Sequence, residues 1–160
     1  MFKTKNDLPK ATRTKIIDLL NARLADCMDL QSQIKHAHWN VKGPNFIALH
    51  ELFDKINADV LDYIDEIAER AVQLGGVAEG TVRVAAKNSS LDEYPSSAVD
   101  GRSHVDALST VLAAFGKSIR AAIESADKLD DADTADLFTA ISRGLDKWLW
   151  FVEAHQQADK

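Results

Sequence analysis

His50, Asp54, Asp65 and Glu69 lie in a stretch, residues 45–74, that contains neither glycine nor proline. On a helix, His50 and Asp54 share a face at i, i+4, and so do Asp65 and Glu69. Imidazoles and carboxylates together bind divalent transition metals. The mixture suits Fe(II), Zn(II) or Mn(II), and carboxylate-rich ligation favours iron redox chemistry. Asp54 and Asp65 are close to three whole turns apart, so both pairs point almost the same way. Along the axis they are separated by roughly 16 Å at about 1.5 Å per residue. Metal–ligand bonds are only about 2 Å, so the two pairs of one helix cannot hold the same ion.

Two copies of the helix remove the conflict. Laid antiparallel across a two-fold axis near Asp59 and Val60, His50 and Asp54 of one chain face Asp65 and Glu69 of the other. Such an isologous contact creates two identical sites. His38 precedes the turn at Gly43-Pro44 and can reach His50. The expected metal ligands are therefore His38, His50 and Asp54 from one chain, with Asp65 and Glu69 from its partner. The same spacings also occur on solvated helix faces. Spacing alone leaves a charged surface, or an interfacial structural Zn(II), as open alternatives.

The elements that must carry these residues are legible in the punctuation. Prolines occur only at 9, 44 and 95, and glycines at 43, 75, 76, 80, 101, 116 and 144. Four long segments with helical periodicity remain. The first runs from about Pro9 to Val41, with Asn6-Asp7 as a candidate cap and Ile16, Leu20, Leu24, Met28 and Ile34 as its apolar stripe. The second runs from about Asn45 to Leu74, where Gly75-Gly76 stops it. The third spans about Ser103 to Asp127. The fourth starts near Asp133-Thr134, with Asp133 as cap, and ends near Gln156. Residues 75–102 are too long for a turn between antiparallel neighbours and suit a crossover along a bundle, with a short helix expected at Leu91–Tyr94. The expected fold is all-α: one ferritin-like four-helix bundle over residues 1–160, preceded by a short basic tail at 1–8.

Composition sets limits on function. A hydrophobic fraction of 46% supplies a core, and no apolar run is long enough to span a bilayer. The N-terminus lacks an apolar signal region, so the cytoplasm is the expected compartment. Cys27 is the single cysteine, which excludes an internal disulfide or a thiolate cluster and fits a small buried residue. The net charge of −6 argues against a surface that binds nucleic acid all over. The exception is the start, where Lys3, Lys5, Lys10, Arg13 and Lys15 stand against Asp7 alone. No Glu-x-x-His motif occurs anywhere, so the di-iron site within a single bundle is absent.

Two long stretches carry a resemblance. His38-Trp39-Asn40-Val41-Lys42-Gly43-Pro44-Asn45-Phe46-Ile47-Ala48-Leu49-His50-Glu51-Leu52-Phe53-Asp54 and Ile64-Asp65-Glu66-Ile67-Ala68-Glu69-Arg70-Ala71-Val72-Gln73-Leu74-Gly75-Gly76-Val77-Ala78 resemble the signatures of the Dps family. These are mini-ferritins named as DNA-binding proteins from starved cells. The resemblance covers essentially the whole chain. It implies a hollow homo-dodecamer with a ferroxidase centre at each two-fold interface, ligated by the five residues above, with Trp39 beside it. It implies that Fe(II) is oxidised there, preferably by hydrogen peroxide rather than oxygen, and that Fe(III) is stored as mineral in the cavity, protecting the cell from oxidative damage. Trp39 has two readings, a scavenger of stray oxidising equivalents or simple packing.

Asp130, Asp131, Asp133 and Asp136 read either as a helix cap or as an acidic iron-entry pore at a three-fold axis. The family name also raises the alternative of a nucleoid DNA-compacting protein whose iron chemistry is secondary. Many members bind DNA through a long lysine-rich tail. Here only Lys3 and Lys5 lie clearly ahead of the first helix, so weak or absent DNA binding is expected.

Overall fold

The computed structural model describes residues 1–158. Five helices follow one another: α1 (Lys10–Asn40), α2 (Phe46–Gln73), α3 (Val82–Asn88), α4 (Gly101–Asp127) and α5 (Ala132–Glu153). The four long ones form the bundle. α1 packs along α2 and α4 along α5, while α1 also meets α4 and α2 meets α5. The stripes expected from the sequence are the ones that turn inward: Ile16, Leu20, Leu24 and Ile34 of α1 are buried beside Phe53, Ile56 and Val60 of α2 and Phe115 and Phe138 of α4 and α5. Cys27 is buried as expected.

Contacts at the two ends of the bundle fix its topology. The turn after α1 touches the start of α4, where Gly101 N donates to Lys42 O at 3.1 Å. Gln156, just past α5, donates to Arg102 O at 2.9 Å at the same end. At the opposite end, Arg70 of α2 donates to Asp131, just ahead of α5, at 2.8 Å. α2 and α4 therefore start at the same end and run parallel, which requires a connection as long as the bundle.

That connection contains a short helix, but not at Leu91–Tyr94. The helix is α3, at Val82–Asn88, with Ala85 buried against α1. Ser89 to Tyr94 is extended instead because one face of α1 claims its polar groups. Asp26 accepts from Ser90 N at 2.7 Å and Ser90 Oγ at 3.0 Å, and Asp29 accepts from Ser89 Oγ at 2.6 Å. Gln33 donates to Asp92 O at 2.9 Å. Spacings of three and four align these acceptors and donors along α1. Asp26 is fully buried, and Arg23 balances its charge at 2.7 Å.

Two caps also differ from expectation. Asp131, not Asp133, caps α5: its carboxylate accepts from Thr134 N at 3.1 Å and Thr134 Oγ1 at 2.6 Å. Asp131 and Thr134 are buried, while Asp133 lies two residues past the cap, inside the first turn, and points into solvent. α1 begins after Pro9 with no side-chain cap, and Asn6 instead accepts from Leu8 N at 3.1 Å in the turn before it. The basic tail is not free. Phe2 N donates to Gly75 O at 2.7 Å, and Arg13 donates to Leu74 O at 3.0 Å. Gly75 has φ +86°, and a Cβ there would come within 2.8 Å of Phe2 O, so this docking depends on glycine.

Candidate metal centre

His38 lies in the last turn of α1 and His50 in the second turn of α2, across the short connection at 41–45. The two imidazoles stack with centroids 3.7 Å apart and planes 21° from parallel. Their hydrogen bonds are reciprocal. His38 Nδ1 donates to His50 O, and His50 Nδ1 donates to His38 O, both at 2.9 Å. Each Nδ1 thereby carries its ring's proton, and each Nε2 keeps a lone pair. A carbonyl acceptor behind the ring is the usual arrangement that fixes tautomer and orientation in a metal-binding histidine.

Asp54 stands one turn after His50, with Oδ1 3.9 Å from His38 Nδ1. That oxygen is held by Lys35 Nζ at 2.8 Å. The hydrogen bond from Lys35, with help from the nearby imidazoles, keeps the Asp54 carboxyl below the ordinary carboxylate range. Asp54 is thus an anion with a monovalent cation against it. Lys35 is the functional neighbour that sequence reasoning missed. The signal was present, because Lys35 is three residues before His38 and shares its face of α1.

Asp65 and Glu69 lie further along α2, both exposed on its outer side. The structure brings His38, His50 and Asp54 together, and leaves Asp65 and Glu69 apart from them within the chain. Among the described residues, no three His, Cys, Asp or Glu side chains of one chain converge closely enough to hold a metal ion. Trp39 is 70% exposed, next to buried His38 at the α1 terminus, with Lys35 Nζ 5.7 Å from its ring centre.

The outer face of α2 has a pattern of its own. Ile47 is 60% exposed, Leu61 48% and Val72 55%, in line with Asp54, Ala58, Asp65 and Glu69. Val60, expected near a two-fold axis, is fully buried in the chain's own core. Asp59 is occupied too, accepting from Trp148 Nε1 at 2.8 Å. At mid-helix the surface belongs to Ala58 and Leu61 instead. Beside Glu69, an open hollow of about 390 Å³ is lined by Ala68, Val72, Gln73 and Ala78.

Comparison with known proteins sets this architecture in a class. A model of the ferritin-like domain matches residues 17–160. A solved structure from Vibrio cholerae O1, described as a Dps protein and a member of a broad superfamily of ferritin-like diiron-carboxylate proteins, superposes with TM-score 0.90 at 26% identity, covering 98% of each chain. Within that class the likeness is narrower. The chain is 46% identical over 155 residues to the DNA protection during starvation protein of Agrobacterium fabrum, covering 97% of this chain and 96% of that one. Mycobacterium smegmatis Dps superposes with TM-score 0.93 at 34% identity, covering 99% of this chain and 96% of the other. The chain belongs to the Dps family of ferritin-like proteins.

Proposed function

We propose that this protein oxidises Fe(II), preferably with hydrogen peroxide, at sites built by two subunits, and stores the Fe(III) product in a dodecameric shell. The observation that carries this reading is the register of the exposed face of α2. An antiparallel, two-fold pairing that sets Asp54 against the partner's Asp65 also sets His50 against Glu69. The same register sets Ala58 against Leu61 and Ile47 against Val72, so apolar surface meets apolar surface along the whole helix. Ile47 then falls at the hollow beside Glu69. Polar ligands and apolar contacts ask for one alignment, which random surface placement does not produce.

In that alignment His38 and His50 offer their Nε2 atoms, while Asp54, Asp65 and Glu69 offer carboxylates. Lys35 holds Asp54 until a divalent cation with greater charge replaces it. Carboxylate oxygen favours the harder Fe(III) over Fe(II), which drives oxidation. Peroxide takes one electron from each of two Fe(II) ions and leaves as water, with no hydroxyl radical released. Trp39 stands at the edge of this arrangement as a candidate electron donor. Asp130, Asp133 and Asp136 are exposed and remain candidates for an iron-entry path, whereas Asp131 is committed to Arg70 and Thr134.

The direct test is peroxide-driven Fe(II) oxidation in Asp65→Ala and Glu69→Ala. Each should lower the rate roughly tenfold or more, as loss of a metal-site group does. Both residues are exposed, so stability should move by no more than about 0.5 kcal/mol. Unchanged oxidation in both would show that the ligands lie elsewhere.

The name of the relatives raises DNA binding as a second reading, and the structure argues for a weak form of it. Lys3 and Lys5 sit on a tail tied to Gly75 and Thr14 rather than on a free arm. A shell of twelve chains also multiplies a net charge of −6, which repels phosphate. A gel shift at low salt should show weak retardation at most, abolished by deleting residues 1–9. Tight binding that survives the deletion would contradict this.

A further inference from the structure

The chain has two tyrosines, and they differ in one respect that matters for redox chemistry. Tyr63 packs its hydroxyl against Gly144 at the α2–α5 contact. Burial, with the nearby Asp59, Cys27, Glu66 and Asp62, pushes its phenol up to about 12, and among the described residues its hydroxyl makes no hydrogen bond to an imidazole. Tyr94, on the crossover, has a base. Its hydroxyl lies 2.5 Å from Nδ1 of His104, in the first turn of α4, and the rings stack with centroids 5.9 Å apart. His104 is fully buried, which holds its imidazole neutral below the usual histidine range. Burial also holds the Tyr94 phenol protonated.

The contact is therefore a neutral phenol donating to a neutral imidazole. Nε2 of His104 is buried and faces the Asn40 backbone, which favours the protonated ring. A ring with a phenol donor on one side and a backbone group that favours its protonation on the other is placed to take up that phenol's proton. The pair also lies against the end of α1 that carries His38 and Trp39. The ring of His36 is 4.9 Å from that of Tyr94, and Asn40 touches the far side of His104.

We propose that Tyr94 and His104 form a redox pair that absorbs one-electron oxidising equivalents of the hydroxyl-radical class, produced when peroxide meets a single Fe(II). This rests on the iron-oxidation reading above. The hydroxyl radical takes one electron and becomes hydroxide. Tyr94 supplies that electron while its O–H bond breaks. The proton forms a new N–H bond at His104 Nδ1, leaving a neutral phenoxyl radical beside an imidazolium. A further Fe(II) then returns the electron and becomes Fe(III), and His104 returns the proton. The net result is one more Fe(II) oxidised and one hydroxyl radical removed. Tyr63 lacks the base and does not take part.

The test uses the assembled protein in two arms. In the first, Fe(II) and limiting hydrogen peroxide are mixed, freeze-quenched and read by electron paramagnetic resonance. In the second, azide radicals oxidise the iron-free protein, and phenoxyl absorption is followed in time. In both arms the wild type and Tyr63→Phe should show a tyrosyl signal, and Tyr94→Phe should lose it. His104→Gln, checked for helix content and assembly, should form the radical more slowly and lose the solvent deuterium effect on its rise. A tyrosyl signal that persists in Tyr94→Phe, or is absent from the wild type while Fe(II) is being oxidised, would overturn the proposal. A Tyr94 radical in the azide arm with no Fe(II) oxidation in the first would sink the iron-oxidation reading and leave the redox pair standing.

Discussion

His38 and His50 are fixed by each other's backbone. Because each Nδ1 is bound to the other residue's carbonyl, neither ring can turn without breaking its own hydrogen bond. This costs no extra residue, since the short α1–α2 turn already brings the two chain segments together. The two carboxylates assigned to the partner, Asp65 and Glu69, have no such support and stay exposed. His104 is the opposite case, buried and neutral, and it gives a pH prediction. Its folded pKa is depressed, so below about 6.5, its ordinary value, the unfolded chain binds a proton that the folded chain refuses. Stability should therefore decline as pH falls through that range and on toward the folded value. Urea midpoints measured against pH should show this slope, and His104→Gln should flatten it.

At the scale of elements, the long helices were legible because their periodicity is long. Between Pro9 and Val41 or Asn45 and Leu74 there are enough turns for an apolar stripe to stand out, and the bounds agree to within a residue or two. α3 has barely two turns and two β-branched valines, so no stripe can form, and its place was missed. The neighbouring Ser89–Asp92 is shaped by hydrogen bonds to Asp26, Asp29 and Gln33, residues some 60 positions away in sequence. No local pattern reports such a contact. The same holds for Tyr94 and His104, which meet across an irregular segment. The α2–α5 contact gives a sharper prediction. A Cβ on Gly144 would collide with the Tyr63 hydroxyl oxygen. Gly144→Ala should destabilise the fold by about 1–3 kcal/mol, as overpacking does. Tyr63→Phe removes the colliding atom, so the double variant should recover most of the loss in thermal or urea unfolding.

At the scale of the whole molecule, the proposed two-chain site follows from helix spacing, and exposure in the structure sharpens its register. The pairs on α2 stand three turns apart, a distance visible from spacing alone. Val60 belongs to the apolar stripe of α2 and is buried with it, so it cannot also face a partner at the axis. Ala58 and Leu61 are the exposed mid-helix residues, and in the proposed pairing they take the centre while Ile47 and Val72 complete the alignment. Lys35 against Asp54 means that, on the proposed reading, an incoming iron ion must displace a cation already in place.

The measurement that bears most directly on this account is subunit complementation. His50→Ala and Glu69→Ala each remove one ligand from both sites of a homodimer, so each alone should lose roughly tenfold or more in rate. In a mixed dimer, one site loses both ligands and the other loses neither. Unfolding and refolding the two variants together should restore about a quarter of the wild-type Fe(II) oxidation rate, as random pairing across a two-fold interface requires. No recovery in a mixture shown to contain mixed dimers, or full activity of either variant alone, would contradict a site shared between two chains.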